Sequence, residues 1–170
     1  AFQRLRYKLL EDNGVEAVED LPVNFRGIVS EYGEQKQTKL LNQFSEARMR
    51  NEALQSGLLL NYGWVSPFLS VMEASRVLAG SDLRNHHAFL RKAEHARYEF
   101  VQGLNRLHAE KLTFADDIKR SSDTAAEQRT RIASENWRVL QRFDFSPMTP
   151  EVRMRNTWSA FALLVAWLLV

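Results

Sequence analysis

The amino-acid sequence predicts an all-α protein, an elongated antiparallel helical bundle followed by the start of a transmembrane helix. Three observations lead there. Only seven Gly and four Pro occur in 170 residues, and long stretches contain neither, which leaves few places where a helix is forced to stop. Apolar residues recur at spacings of three and four, as on one face of a helix, while no alternating run is long enough for a sheet. The last thirteen residues, Trp158 to Val170, carry no charge.

The elements follow in order. Phe2, Leu5 and Leu9 place residues 1 to about 12 on a helix that stops at Asn13-Gly14, where Gly takes the left-handed conformation. Pro22-Val23-Asn24-Phe25-Arg26-Gly27 reads as an irregular link, and Tyr32-Gly33 marks a second weak point. From Leu40 the pattern Leu40, Phe44, Ala47, Leu54, Leu58, with Asn51 in one slot, predicts one helix of roughly 25 residues with one buried face. Asn51 either fixes the register of that helix or faces a water-filled groove.

Ser66-Pro67 opens the next helix: a Ser side chain accepts from first-turn amides, and Pro suits the first helical position because its missing donor has no partner there. Phe68, Leu69, Val71, Met72, Val77 and Leu78 make this short helix apolar around much of its circumference, so burial on several sides is expected, with a stop at Ala79-Gly80. Ser81 or Asp82 then caps a long helix over about 82 to 112, with Phe89, Ala93, Ala96, Phe100, Leu104 and Leu107 on its apolar face. Residues 113 to 128 are polar and form either a mobile connection or a solvated helical extension. Ile132, Trp137, Leu140 and Phe143 predict a final short amphipathic helix, and Pro147 and Pro150 form a hinge before the apolar tail.

That tail divides the chain into an extramembrane helical domain, residues 1–157, and the beginning of a transmembrane helix, residues 158–170. Trp158, Phe161, Leu163, Leu164 and Trp167 are the residues expected in the membrane, with Trp158 at the polar-to-apolar junction as in an interfacial aromatic belt. A span needs about 20 apolar residues, so this run is read as one end of a longer span. The alternative is a C-terminal helix packed into its own core, although such a helix usually keeps a polar stripe and this one has only Ser159.

Charge and composition exclude several classes of function. The 23 basic and 21 acidic residues are interleaved, which argues against a nucleic-acid surface. The absence of Cys removes disulfides, thiolate nucleophiles and zinc–cysteine sites together. No phosphate-cradling Gly loop, Gly-x-Ser-x-Gly elbow or His-Glu-x-x-His motif occurs, so neither catalytic residues nor a cofactor is expected. His86, His87, Glu94 and His95 concentrate potential ligands, but the eight-residue spacing of His87 and His95 falls short of a tight local pair. Hydrogen-bonded or exposed histidines are the expectation, with no metal. Glu31, Glu34 and the Asp116-Asp117 pair read as solvated surface charge, and Tyr98, Trp64 and Trp137 as packing residues.

Ser66-Pro67 opening an apolar helix, then Ala79-Gly80-Ser81-Asp82, His86-His87, Phe89, Ala93-Glu94, Tyr98 and Leu104-Asn105, form a pattern of their own. It resembles the large extramembrane domain of a bacterial family of ABC transporter permeases of the exporter class. Trp137 and Phe143-Asp144-Phe145-Ser146-Pro147 resemble that family's aromatic-proline approach to its second membrane span. The resemblance covers most of residues 55 to 170; before them Pro22-Val23-Asn24 and Gly27 match best. Ser81 stands where Thr is commoner, which keeps the hydroxyl.

The resemblance makes Ser66, Pro67, Gly80, Ser81, Asp82, His87 and Phe89 the motif residues, with a structural role. It implies a non-catalytic domain on the extracytoplasmic, periplasmic side of the cell inner membrane, between the first and second spans. It also implies a separate cytoplasmic ABC ATPase subunit, a second permease chain as partner, and ATP-driven export of an unknown substrate by conformational coupling. Arg153 and Arg155 before the tail favour the cytoplasmic side by charge bias, but that rule counts short loops, so the resemblance prevails. The competing reading is the helical ligand-sensing domain of a membrane receptor; a third is a helical scaffold whose tail packs into its own core.

Overall fold

The computed structural model describes residues 2–62, 66–122 and 143–169. The protein is a helical bundle, and no strand occurs among the described residues. Its helices are α1 (Phe2–Asn13), α2 (Phe25–Asn61), α3 (Pro67–Ala79), α4 (Leu83–Lys111), α5 (Phe114–Ser122) and α6 (Pro150–Leu168), with a short 3-10 turn at Val18–Asp20. The chain forms two compact units: residues 1–40 with 96–142, and residues 41–95 with 143–170.

In the first unit α1 ends as its sequence predicts. Gly14 has φ 64°, its amide donates to Glu11 O, and Val15 N reaches Leu10 O, the pair of bonds that closes a helix through a left-handed glycine. Phe2 meets Tyr32 edge-on at 6.1 Å, which joins α1 to α2. Along the paired α2 and α4, Gln102 Nε2 donates to Glu31 O and Arg97 Nη2 to Glu34 Oε1. Numbers rise on α2 as they fall on α4, so the two are antiparallel here. At Gly27 they come so close that an added Cβ would lie 2.5 Å from Ala109 N.

The expected break at Tyr32-Gly33 is absent: α2 runs without interruption for 37 residues. An interior Gly costs a helix only about 1 kcal/mol relative to Ala, and the bonds at Glu31 and Glu34 hold the turns on either side. The helix therefore begins at Phe25 and takes up Phe25, Arg26 and Gly27 of the expected irregular link, instead of starting near Leu40.

In the second unit the remainder of α2 turns an unexpected face inward. Met49 is buried, whereas Phe44, Leu54 and Leu58 of the predicted core stripe are exposed, as is Leu40; Asn51 is exposed as well. The inward face is set by polar pairing with α4: Glu46 takes a bidentate Arg91 at 2.6 and 2.8 Å, and Glu52 takes His87. The descending α4 numbers again give an antiparallel pair.

α3 also departs from expectation. Instead of burial on several sides it hides one face, Ser70, Ala74 and Val77, and leaves Phe68, Val71, Met72 and Leu78 exposed. That face packs on α6, whose buried residues are Thr157 and Ala160. α6 starts at Pro150, with Thr149 in extended conformation before it, and passes through residues 157 and 158 without a break. No helix among the described residues is long and apolar enough to cross a membrane. Residues 114–122 of the polar 113–128 segment are the helix α5. The predicted helix around Ile132, Trp137 and Leu140, the packing role of Trp64, and residues 123–128 lie outside the described residues.

Candidate functional site

The motif residues lie in the second unit, Ser66 and Pro67 at the start of α3 and Gly80, Ser81, Asp82, His87 and Phe89 around the corner where α3 gives way to α4. Pro67 occupies the first turn of α3 as predicted. Ser66 precedes it in extended conformation, but its hydroxyl makes no cap bond; its carbonyl accepts from Leu69 N at 3.2 Å instead. At the far end Gly80 has φ 71°, and the bonds Gly80 N to Val77 O and Ser81 N to Arg76 O close the helix. Ser81 Oγ also donates to Arg76 O. This leaves Asp82 as the cap of α4: its Oδ2 accepts Arg84 N and its Oδ1 accepts Asn85 Nδ2 at 2.6 Å. Asp82 and Asn85 are buried, so these bonds are protected from competing water.

The segment after the undescribed stretch closes over this corner. Phe89 stands edge-on to Phe143 at 5.9 Å and to Phe145 at 5.1 Å, while Lys92 lies over the Phe145 ring. Met148 N donates to Asn85 Oδ1. Arg153, one turn into α6, donates from Nε to Met148 O at 2.8 Å and from Nη1 to Leu78 O at 3.3 Å. A continuous run of hydrogen bonds thus joins the start of α6 to the end of α3 and the start of α4. Moving α6 must strain this run or break it.

Beyond the corner, the α3–α6 pair is inverted relative to a water-soluble bundle. Small residues, Ser70, Ala74, Thr157 and Ala160, form most of the buried seam together with Val77, and most of the other large apolar ones face out. Trp158 is 74 % exposed, Phe68 71 %. Met154, Trp158, Phe161, Val165 and Leu168 fall on one side of α6 at helical spacing, all exposed. Of the residues predicted for the membrane, Phe161 and Trp167 are exposed with Trp158, and Leu163 and Leu164 are half-buried.

Two clefts open beside the seam. One, of about 430 Å³, has apolar walls from Leu59, Leu69, Met72, Ala162 and Leu163. The other, about 210 Å³, is bordered by Asp82, Arg84, His87, Asn156 and Thr157. Ser56, Glu73, Ser159 and Ala160 line both, so the two spaces adjoin at a shared waist.

The histidines separate. His87 is buried and its Nε2 lies 2.8 Å from Glu52 Oε2; this hydrogen bond and a second from Arg48 hold the Glu52 carboxyl below its ordinary value. Arg91 does the same for Glu46. His86 lines a cleft with Gly80, Phe89 and Phe145. Among the described residues no group of three or more His, Asp or Glu is placed to hold a metal.

The first unit contains a polar node that the sequence reading places at the surface. Asp117 is 7 % exposed; its Oδ2 accepts Asn24 Nδ2 at 2.9 Å and its Oδ1 lies 3.1 Å from His108 Nε2. Asn24 Oδ1 meanwhile accepts Gly27 N, capping α2. Glu34 is likewise paired rather than free, with Arg97 and Thr38. Asn24 before the apolar Phe25 was the available signal, since Asn is a preferred cap.

Residues 1–146 match the sequence profile of the family described as a domain of unknown function, DUF3526, and the chain belongs to that family. No curated protein and no solved structure matches it.

Proposed function

We propose that this member of the DUF3526 family is the extracytoplasmic helical domain of a bacterial ABC transporter permease of the exporter class, held at the inner membrane. The inverted α3–α6 pair carries the proposal. Helices in lipid associate through small residues and turn large apolar ones outward, because lipid gives no hydrophobic reason to hide them. Ser70, Ala74, Thr157 and Ala160 inside, with Val77, and Phe68, Trp158, Phe161 and Val165 outside fit that rule, which brings α3 to the lipid beside α6 although the sequence reading kept residues 1–157 outside it.

In this reading the domain hydrolyses nothing. A separate cytoplasmic ATPase supplies energy, and α6 brings membrane motion to the corner through Arg153, which grips Met148 O and Leu78 O at once. A rigid helix tied at one end to two others transmits displacement, as in hinge and shear transitions. The exposed stripe Phe44, Leu54 and Leu58 on α2 supplies a face for the second permease chain.

The chain lacks Cys, so a single Ala115→Cys, on the exposed side of α5, reports the side of the membrane. Labelling of intact cells by a membrane-impermeant maleimide is expected. Labelling only after the cells are opened would place the domain in the cytoplasm and overturn the assignment. The paired clefts favour a second reading, a ligand-sensing receptor domain, and a signalling module instead of further membrane spans in the whole gene product would decide for it.

A further inference from the structure

We infer that the adjoining clefts between α2, α3 and α6 form one binding site for a single-chain amphiphile with a zwitterionic head. The larger space has the size of a small-molecule site, which is commonly about 300–1,000 Å³, and its walls are aliphatic: Leu59, Leu69, Met72 and Leu163. The smaller space is mixed, with Asp82, Arg84, His87 and Asn156 on its walls beside Ala53, Val77 and Leu83. The waist between them, Ser56, Glu73, Ser159 and Ala160, is made of short side chains apart from Glu73. A molecule apolar at one end and polar at the other fills both; a wholly apolar one leaves the polar groups of the smaller space unmatched.

The head is identified by charge. At the smaller space Arg84 supplies a cation and Glu73 an anion, while Asp82 there is committed to the α4 cap and Arg76 lines the larger space. Glu73 and Arg76 are only loosely joined, at 3.8 Å, which leaves both able to turn toward a ligand. A head with one charge of each sign meets a partner for each; a head with a single charge meets repulsion from half the set. The inference goes beyond the permease reading and stands without it, since it uses only the second unit's own walls.

Gly57 gives the test. It lines the smaller space, and a Cβ added there meets nothing within 4 Å, so Gly57→Leu adds a bulky side chain at the edge of the site without a clash at its Cβ. Gly33→Leu, on the same helix and equally open, is the control away from the cleft. Binding of dodecylphosphocholine to the full chain is followed by calorimetry below the critical micelle concentration, alongside dodecyl sulfate and dodecyltrimethylammonium.

Saturable one-to-one binding of the zwitterion is expected, weakened about tenfold or more by Gly57→Leu, or at least 1.4 kcal/mol on the standard scale, and unchanged by Gly33→Leu. Equal or tighter binding of either singly charged amphiphile would overturn the head assignment. Non-saturating uptake, or binding that Gly57→Leu leaves intact, would show adsorption on the exposed apolar faces and overturn the site. Competition by lysophosphatidylcholine, which carries the same head on one acyl chain, is expected, and its failure to compete would overturn the assignment.

Discussion

Replacing Gly80 by Val tests whether the corner is held as described. Gly80 sits at φ 71°, ψ 19°, and the left-handed region costs an L-residue about 1–2 kcal/mol, most for a β-branched one. A second cost comes from Arg153. A Cβ on residue 80 would lie 3.2 Å from Arg153 Nη1 and 3.4 Å from its Cζ, and the methyls of Val reach further, so the guanidinium must leave Leu78 O. Losing a hydrogen bond from a charged donor adds about 1.5 kcal/mol. The sum, about 3 kcal/mol, corresponds to a fall in Tm of roughly 6–12 °C for a chain of this length, read by circular dichroism at 222 nm. Gly14, with φ 64° and nothing within 4 Å of its would-be Cβ, provides the backbone cost alone: Gly14→Val is expected to lose about half as much. In an Arg153→Met background the excess at residue 80 should vanish, which is the coupling a double-mutant cycle isolates. An unchanged Tm for Gly80→Val, or an excess that survives Arg153→Met, would refute the reasoning.

Two further substitutions probe the helix pairs. Gly27→Ala puts a Cβ 2.5 Å from Ala109 N and 2.6 Å from its Cα, backbone atoms that cannot rotate away, so a loss of about 3 kcal/mol, the upper end of overpacking costs, is expected in urea denaturation. Gly33→Ala on the same helix meets nothing and is expected to stabilise by about 1 kcal/mol through helix propensity; equal effects at the two sites would deny the close approach. The Glu52 carboxyl, held below its ordinary 4.5 by His87, contributes stability that is fully present above that value and lost as pH falls through the lower folded one. Wild type should therefore lose more stability than Glu52→Gln as pH drops below 4.5, and parallel acid-melting curves would contradict this.

What was legible in the sequence was local. Gly14, Pro67, Gly80 and Asp82 act within one turn of themselves, by a φ angle or a missing or capped donor, and each stands where its chemistry predicts, whereas Pro150, read as part of a hinge, instead opens α6. The face that a helix buries is not local. It depends on which elements pack against the helix, and the rule that large apolar residues turn inward misassigned Phe44, Leu54 and Leu58 on α2 and Phe68, Val71 and Met72 on α3, which are exposed while Ser70, Ala74 and Thr157 are buried. Asp117 escaped notice for a different reason: its partner Asn24 is 93 residues away in the chain, and nothing near Asp117 distinguishes a buried carboxylate from a solvated one. Gly33 misled in the opposite direction, because a modest helix penalty was read as a stop.

The inverted α3–α6 pair is the centre of the account, and collision accessibility of spin labels tests it most directly. Labels placed singly at Val71→Cys and Val165→Cys, both exposed, are compared in lipid vesicles with one at the exposed Thr113→Cys of the first unit. Val71 and Val165 should collide more with oxygen, which concentrates in lipid, than with a water-soluble nickel chelate, and Thr113 should show the reverse. A preference for nickel at both valines would contradict the account, because these apolar faces would then stand in water.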